Sequence, residues 1–471
     1  MPNLYSIGFL YSNFYYNMKI ISLPIKDVID IVGAQLVQDS CAPRMSSFYY
    51  EVKVKSGYVL YNTLTKEILF VDEKEYYDNE IKNLLFEKWF YVPTDFNEMN
   101  FVDDIRNIIK YTLRQPSGFV SYIILPTTGC NARCFYCFEA NSKKITMTDQ
   151  MVDKVIDYID RTRNKESKLS FQWFGGEPLL NKKAINRICT SLAERKIEFG
   201  SSMISNGYLF DEETIDDAKN KWNLNSIQIT LDGTEDTYNR VKAYVYKDVN
   251  AFKRVLDNID NLLSAEIRVS IRLNIDAYNM QDIRCLVNEL ALRFKGKKGL
   301  TIYSHTLFED VGKCGGLVRT NECRKEICDF QKSLENEIVS LGFAPNKHHV
   351  INREFKDHYC MADAVGSVVI LPDGHLTKCE SSLDDDYVGY IDDECLNEEM
   401  LAKYSKYCEK LEECKTCILY PDCIKLEVCH EAGMCHKEFR DKRISDLKDA
   451  IIYEYNAFCE HKNDVSKERV E

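Results

Sequence analysis

Cys130, Cys134 and Cys137 lie in the run Thr127-Thr128-Gly129-Cys130-Asn131-Ala132-Arg133-Cys134-Phe135-Tyr136-Cys137, directly after the apolar stretch Tyr122–Leu125 and Pro126. The spacing is C-x3-C-x2-C, with an aromatic residue before the last cysteine. Three thiolates this close can hold three irons of a four-iron, four-sulfur cube, whose ligands are normally cysteines. The fourth iron is then open to a substrate or cofactor. A zinc site favours C-x2-C pairs closed by a second pair, and the next cysteine after this loop is Cys189.

Other residues with chemical potential fall after apolar runs. Gly175-Gly176-Glu177-Pro178 offers close backbone approach at its glycines and a carboxylate suited to a ligand ammonium group. Taken alone it is a tight turn. Ser205-Asn206-Gly207 and Gln228-Ile229-Thr230-Leu231-Asp232-Gly233 end two further runs, and Arg240, Arg272 and Asn274 are nearby candidates. No serine-histidine-acid set or phosphate loop is present, and the eight histidines form no metal-spaced cluster; His348-His349 reads as a solvated loop.

The elements that must position these residues follow from periodicity. β-rich runs at Tyr122–Leu125, Leu169–Phe174, Ser202–Ser205, Ile227–Leu231, Ile267–Leu273 and Leu300–Tyr303 alternate with helical patterns. The helices expected are Thr148–Arg161, Lys182–Glu198, Asp211–Lys221, Val249–Leu263 and Met280–Phe294. Such alternation implies parallel strands with crossover helices. The expected fold class is α/β, a partial (β/α)6 barrel over residues 116–310, with a doubly wound sheet as competitor. In a barrel, chemistry sits at the C-terminal strand ends, where the cysteine loop falls.

Residues 1–115 read as a small α+β domain. Phe48–Val54 and Tyr58–Asn62 flank a turn, Ile68–Val71 follows, and helical patterns cover Glu73–Trp89 and Asp103–Thr112. Residues 311–471 form a cysteine-rich third region whose last helix is expected at Ile444–Phe458. Cys360 is followed after 13 residues by Gly374 and, after four more, by Cys379. Then come Cys414-x2-Cys417-x5-Cys423, Cys429, Cys435 and finally Cys459. A zinc ribbon is one reading of this region. Cys41, Cys189 and Cys285 read as inert buried thiols.

Bulk numbers narrow the classes. The chain has 471 residues, is 45% hydrophobic and carries a net charge of −13, as expected of two to four globular domains with an acidic surface. Nucleic-acid binding, which rests on clustered Lys and Arg, is not expected. No run of 18 apolar residues predicts a membrane span, and Met1–Leu23 lacks the basic start and cleavage site of a signal peptide. Nineteen cysteines without an export signal favour metal or cluster binding in a reducing cytoplasm over disulfides.

The run Cys-Asn-Ala-Arg-Cys-Phe-Tyr-Cys closely resembles the cluster loop of the radical S-adenosylmethionine (SAM) enzymes. The resemblance implies a [4Fe-4S] cluster on Cys130, Cys134 and Cys137, SAM on the open iron, and a 5′-deoxyadenosyl radical as oxidant. It further implies Tyr136 beside the adenine and Gly175, Gly176, Glu177 and Pro178 as the methionine-binding turn, with Glu177 facing the SAM amino group. Ser205 and Thr230 become polar contacts to the cofactor and Arg240 a partner for its carboxylate. The C-terminal pattern resembles the SPASM extension of peptide-modifying members, which implies two auxiliary clusters. Cys414, Cys417, Cys423 and Cys459 would hold one; Cys360 and Cys379, with Cys429 or Cys435, would hold the other, with Cys328 or the spare cysteine as a fourth ligand. The family pattern places a cysteine three residues after Cys423, and this chain departs from it.

The N-terminal region weakly resembles domains that capture a leader peptide at a sheet edge, and a structural cap is the competing reading. Together these resemblances imply an oxidoreductase that modifies a precursor peptide, with a flavodoxin or ferredoxin as electron donor. A cysteine thioether cross-link is the expected product. Carbon–carbon cross-linking, epimerisation and formylglycine formation on a sulfatase are the alternatives.

Overall fold

The computed structural model describes residues 43–76, 78–113, 118–246, 250–307, 321–343, 351, 358, 360–383, 386–423, 426–429, 435 and 437–468. Met1–Leu23, Cys41 and His348-His349 lie outside the described residues.

Six strands alternate with helices through the middle of the chain: β6 Ser121–Ile124, β7 Leu169–Trp173, β8 Phe199–Ser205, β9 Leu224–Leu231, β10 Arg268–Ile275 and β11 Leu300–Thr306. All neighbouring pairs are parallel, and the order β6-β7-β8-β9-β10-β11 never reverses. A doubly wound sheet needs a reversal at its switch point, so that alternative is excluded. The crossover helices have apolar stripes. Asp149–Thr162 buries Val152, Val155, Ile156 and Ile159 and is capped by Thr148, whose hydroxyl accepts from Met151 N–H. Ala251–Ser264 buries Phe252, Val255, Leu256, Ile259 and Leu262 behind its cap Asn250.

The sheet does not end with β6. β12 Ser367–Ile370 lies parallel beside it, Val369 opposite Ile123, and β13 His375–Thr377 and β14 Gly389–Tyr390 continue antiparallel. The cysteine-rich region thus contributes three strands to the nine-stranded sheet. Cys360 precedes β12 and Cys379 follows β13. That region also holds a 20-residue helix, Asn321–Ser340, which apolar periodicity did not reveal, and a terminal helix, Lys437–Glu468, longer than expected. Cys285, expected to be buried, is exposed, because its helix buries Ile283, Leu286, Val287 and Leu290 instead.

Near the N-terminus, β1 Pro43–Met45 pairs antiparallel with β5 Tyr91–Pro93, and between them β2 Tyr49–Val54, β3 Gly57–Asn62 and β4 Ile68–Asp72 form a three-stranded antiparallel sheet. The helix expected from Glu73 begins at Asn79, where the Asp78 carboxylate caps Glu80 N–H. One sheet face packs Leu60, Leu69 and Val71 on Ile81 and Leu85 of that helix. The other packs Val52, Val59 and Tyr61 on Ala450 and Ile451 of the terminal helix. The same N-terminal region grips the loop carrying Cys414, Cys417 and Cys423. Phe48, Phe101 and Ile105 pack on Tyr420. Buried Arg106 donates to the carbonyls of Tyr420 at 2.6 Å and Pro421 at 3.1 Å, and Lys66 pairs with Asp422 at 2.6 Å.

Arg106→Met removes charge-assisted bonds to buried carbonyls. It is expected to lower stability by about 2 kcal/mol and to expose the 414–423 loop to protease. Urea unfolding and limited proteolysis check this, with the exposed pair Lys183–Asp149 as a control whose loss leaves stability almost unchanged.

Candidate functional site

The C-terminal ends of β6 to β10 converge around the cysteine loop. Its base is closed by Thr127 and Thr128. Thr128 N–H donates to Ile145 O at 2.9 Å, and Met147 N–H donates to Pro126 O at 2.9 Å. Gly129 is pressed against the turn after β7. A Cβ on Gly176 would stand 2.2 Å from Gly129 O, and Gly175 holds φ of +98°, so both positions require glycine. Glu177 N–H then donates to Gly129 O at 2.8 Å.

The Glu177 side chain faces inward. It is 0% exposed and accepts from Ser205 Oγ at 2.9 Å, Asn206 N–H at 2.9 Å and Leu179 N–H at 3.2 Å. Burial pushes its carboxyl up to about 7 against the pull of these donors and of Lys242. Glu177 and Ser205, each expected to contact a cofactor directly, are thus bonded to each other and tie the β7 turn to the end of β8. Pro178 is buried at the start of the following helical turn.

A second tie comes from a residue not singled out in the sequence. Lys242 is 2% exposed and pairs with Asp232, which follows β9, at 2.9 Å. It also donates to Tyr136 Oη and Thr230 Oγ1, both at 2.9 Å. Tyr136 Oη donates to Asp232 at 3.1 Å, and Asn274 Nδ2 on β10 donates to the other Asp232 oxygen at 2.9 Å. Burial alone pushes the Lys242 ammonium down, but Asp232 and Tyr136 outweigh it and hold its pKa well above the usual lysine range. The backbone reinforces this tie, since Arg133 N–H donates to Lys242 O at 2.7 Å and Val245 N–H to Asn131 O at 2.9 Å. Arg240, the expected cation, is exposed on the same helix. The helix Glu235–Lys242 buries Tyr238 and Lys242. These are four residues apart and share a face; that spacing was the signal available in the sequence.

The cysteine loop has the donor set of a cluster site. Burial pushes the Cys130 thiol up to about 12, and Glu177, Cys134 and Cys137 lie near enough to add to the rise. Ala132 N–H donates to Cys130 Sγ at 3.4 Å. Beside the thiols, buried Asn131 Nδ2 and Glu139 Oε2 have no partner among the described residues, as expected of a polar recess shaped for a further group. Among the described residues, no three His, Cys, Asp or Glu side chains close around one point as ligands of a single metal ion would.

The C-terminal thiols fall into two neighbourhoods. Cys414 and Cys417 each feel the charges of Cys423 and Cys435. Cys360 feels Cys379, which feels Cys429. Cys435 therefore joins Cys414, Cys417 and Cys423, and Cys429 joins Cys360 and Cys379. Cys459 instead contacts Tyr455, whose ring packs on Phe70 of the N-terminal sheet. Cys328 lies near Lys442 of the terminal helix.

Lys242→Met leaves Asp232 buried without its counter-charge and should cost about 3–5 kcal/mol, most of which the added change Asp232→Asn restores. Urea unfolding of both single variants and the double variant measures it.

Residues 124–290 match the family model described as the radical SAM superfamily. The radical SAM cyclopropyl synthase TigE of Paramaledivibacter caminithermalis is 25% identical over 419 residues, 80% of each chain. Among solved structures, Streptococcus suis SuiB bound to its precursor peptide SuiA has 14% identity and a TM-score of 0.50, covering 81% of this chain and 94% of SuiB. Native anSMEcpe with bound AdoMet has 16% identity and a TM-score of 0.53, covering 73% of this chain and 99% of that one. The two structures share this fold.

Proposed function

The chain carries a radical SAM domain and is an enzyme, and on that premise we propose that it modifies a residue of a ribosomally made precursor peptide. The observation that carries this reading is a pair of further thiol groups, Cys360/Cys379/Cys429 against the core of the central sheet and Cys414/Cys417/Cys423/Cys435 against the N-terminal region. A single radical-generating site has no need of them. The similarity to TigE across 80% of both chains and the SuiB fold, seen there with a precursor peptide, add support.

In this reading Cys130, Cys134 and Cys137 hold a [4Fe-4S] cluster, and the two C-terminal groups hold auxiliary clusters. When bound, the first cluster and SAM supply a 5′-deoxyadenosyl radical. The chain's own residues shape the space for it. Gly175 and Gly176 let the turn approach the cysteine loop, Glu177 fixes that turn, and Tyr136 and Thr230 line the recess. Lys242 spends its three donors on Asp232, Tyr136 and Thr230 and so holds these residues in place around the recess. A flavodoxin- or ferredoxin-type carrier supplies electrons, which suits a reducing cytoplasm. No described helix is long and apolar enough to cross a membrane.

The product proposed is a thioether between a cysteine sulfur and a carbon of another residue. The likeness to a cyclopropyl synthase favours a second reading, carbon–carbon ring closure. Co-expression with small peptides encoded beside the gene, followed by mass spectrometry, separates them. Both products lose two hydrogens, but a thioether leaves its cysteine resistant to iodoacetamide, whereas ring closure leaves it reactive. Loss of the sulfur itself indicates formylglycine. Peptides left unchanged by enzyme that cleaves SAM contradict the peptide reading.

A further inference from the structure

The sheet face turned away from the helices changes character partway across. From β12 to β8 it carries an apolar patch, Ile123, Leu125, Phe174 and Val369 packed together with Ile204 against them, while Gln172 and Ser202 share that face in register with Ile123. From β9 to β11 the same face is polar. Ile229, Leu231, Ile271, Leu273 and Ile302 join the helix-side core. By the two-residue period of a strand, Gln228, Thr230, Arg272 and Tyr303 therefore point the other way. The seam is the pair Ile204 and Gln228, opposite one another across β8 and β9.

Arg272 is the half-buried cation on the central strand of the polar wall, between Thr230 on one side and Tyr303 on the other. Its Nε donates to Asn274 Oδ1 at 3.1 Å, which uses one of the five donors of a guanidinium. Among the described residues, no carboxylate lies within ion-pair distance of it. Tyr303 Oη donates to Gln228 Oε1 at 2.5 Å. Burial pushes the Tyr303 phenol up, and the nearby Arg272 charge opposes that rise. Asn274 connects this wall to Asp232, and so to Tyr136 of the cysteine loop. A planar, fork-shaped cation without a counter-charge is the group best suited to a carboxylate.

We propose that Arg272 recognises a carboxylate on the substrate, an acidic side chain or a chain-terminal carboxylate, while the apolar part of that segment lies across the seam on Ile204. This deepens, and rests on, the reading of the chain as a peptide-modifying enzyme. The neutral face of Gln228 and Tyr303 then orients the bound carboxylate, and the Asn274–Asp232 link sets its place relative to the cysteine loop.

The test is calorimetric titration of the full, anaerobically reconstituted chain with three probes: N-acetylglutamate α-methylamide, N-acetylalanine and the neutral N-acetylglutamine α-methylamide. Wild type should bind one of the two acids about tenfold more tightly than the neutral amide, as expected for a charge-assisted contact. The preferred acid tells a side-chain carboxylate from a terminal one. Arg272→Gln should abolish the preference and Arg272→Lys should keep part of it, with SAM affinity unchanged in both. Equal binding of acids and amide by wild type overturns the proposal without any variant, which covers the case of an Arg272→Gln chain that does not fold. So does a lost SAM affinity in Arg272→Gln with the acid preference intact, which assigns Arg272 to SAM's carboxylate. Acid preference in a chain that modifies no peptide upholds the Arg272 site and removes the peptide reading.

Discussion

A lysine ammonium and an aspartate carboxylate, both almost wholly buried, meet at 2.9 Å at the mouth of the sheet. Taking two such charges out of water costs several kcal/mol per ion, and their attraction offsets this only when other bonds satisfy the remaining donors and lone pairs. Here they do. Thr230 and Tyr136 take two Lys242 protons, and Asn274 and Tyr136 donate to Asp232. The consequence is positional. The pair sits where β9, β10, the helix Glu235–Lys242 and the cysteine loop meet, so the loop is held to the strand ends independently of any bound group. Such a pair contributes more to fixing one arrangement than to net stability.

Glu177 performs the matching task on the other side of the loop. Its backbone reaches Gly129 and its carboxylate reaches Ser205 and Asn206, so the β7 turn, the β8 end and the loop move as one piece. Two adjacent glycines make this contact sterically possible. The three cysteines therefore stand on a loop braced from both flanks, which is the preorganisation a reactive site requires.

The strands of the central sheet were legible in the sequence because period-two apolar runs alternated with helical ones, and the observed strands begin or end within a few residues of those runs. The cysteine loop was legible because all its ligands are local. What was hidden depends on long-range placement. Lys242 reads as one more surface lysine until its helix turns it under β9. That Cys435 lies near Cys414 and Cys417 is a tertiary fact that spacing does not carry. β12 is four residues long, too short for periodicity to assign, yet it extends the sheet beside β6. Glu177 and Ser205 were found as site residues, but their bond to each other is a tertiary fact.

The inner face of the sheet carries an apolar patch at Ile123 and Ile204 and a polar stretch at Gln228, Arg272 and Tyr303, and the N-terminal region is fastened to the loop bearing Cys414, Cys417 and Cys423 by Arg106, Lys66 and Tyr420. All of this presupposes radical chemistry at the Cys130 loop. The most direct measurement is chromatography of SAM incubated anaerobically with the iron- and sulfide-reconstituted chain and dithionite. The account predicts 5′-deoxyadenosine and methionine from wild type and neither from Cys134→Ala. Intact SAM in both reactions, with zinc in place of iron in the purified protein, would contradict it.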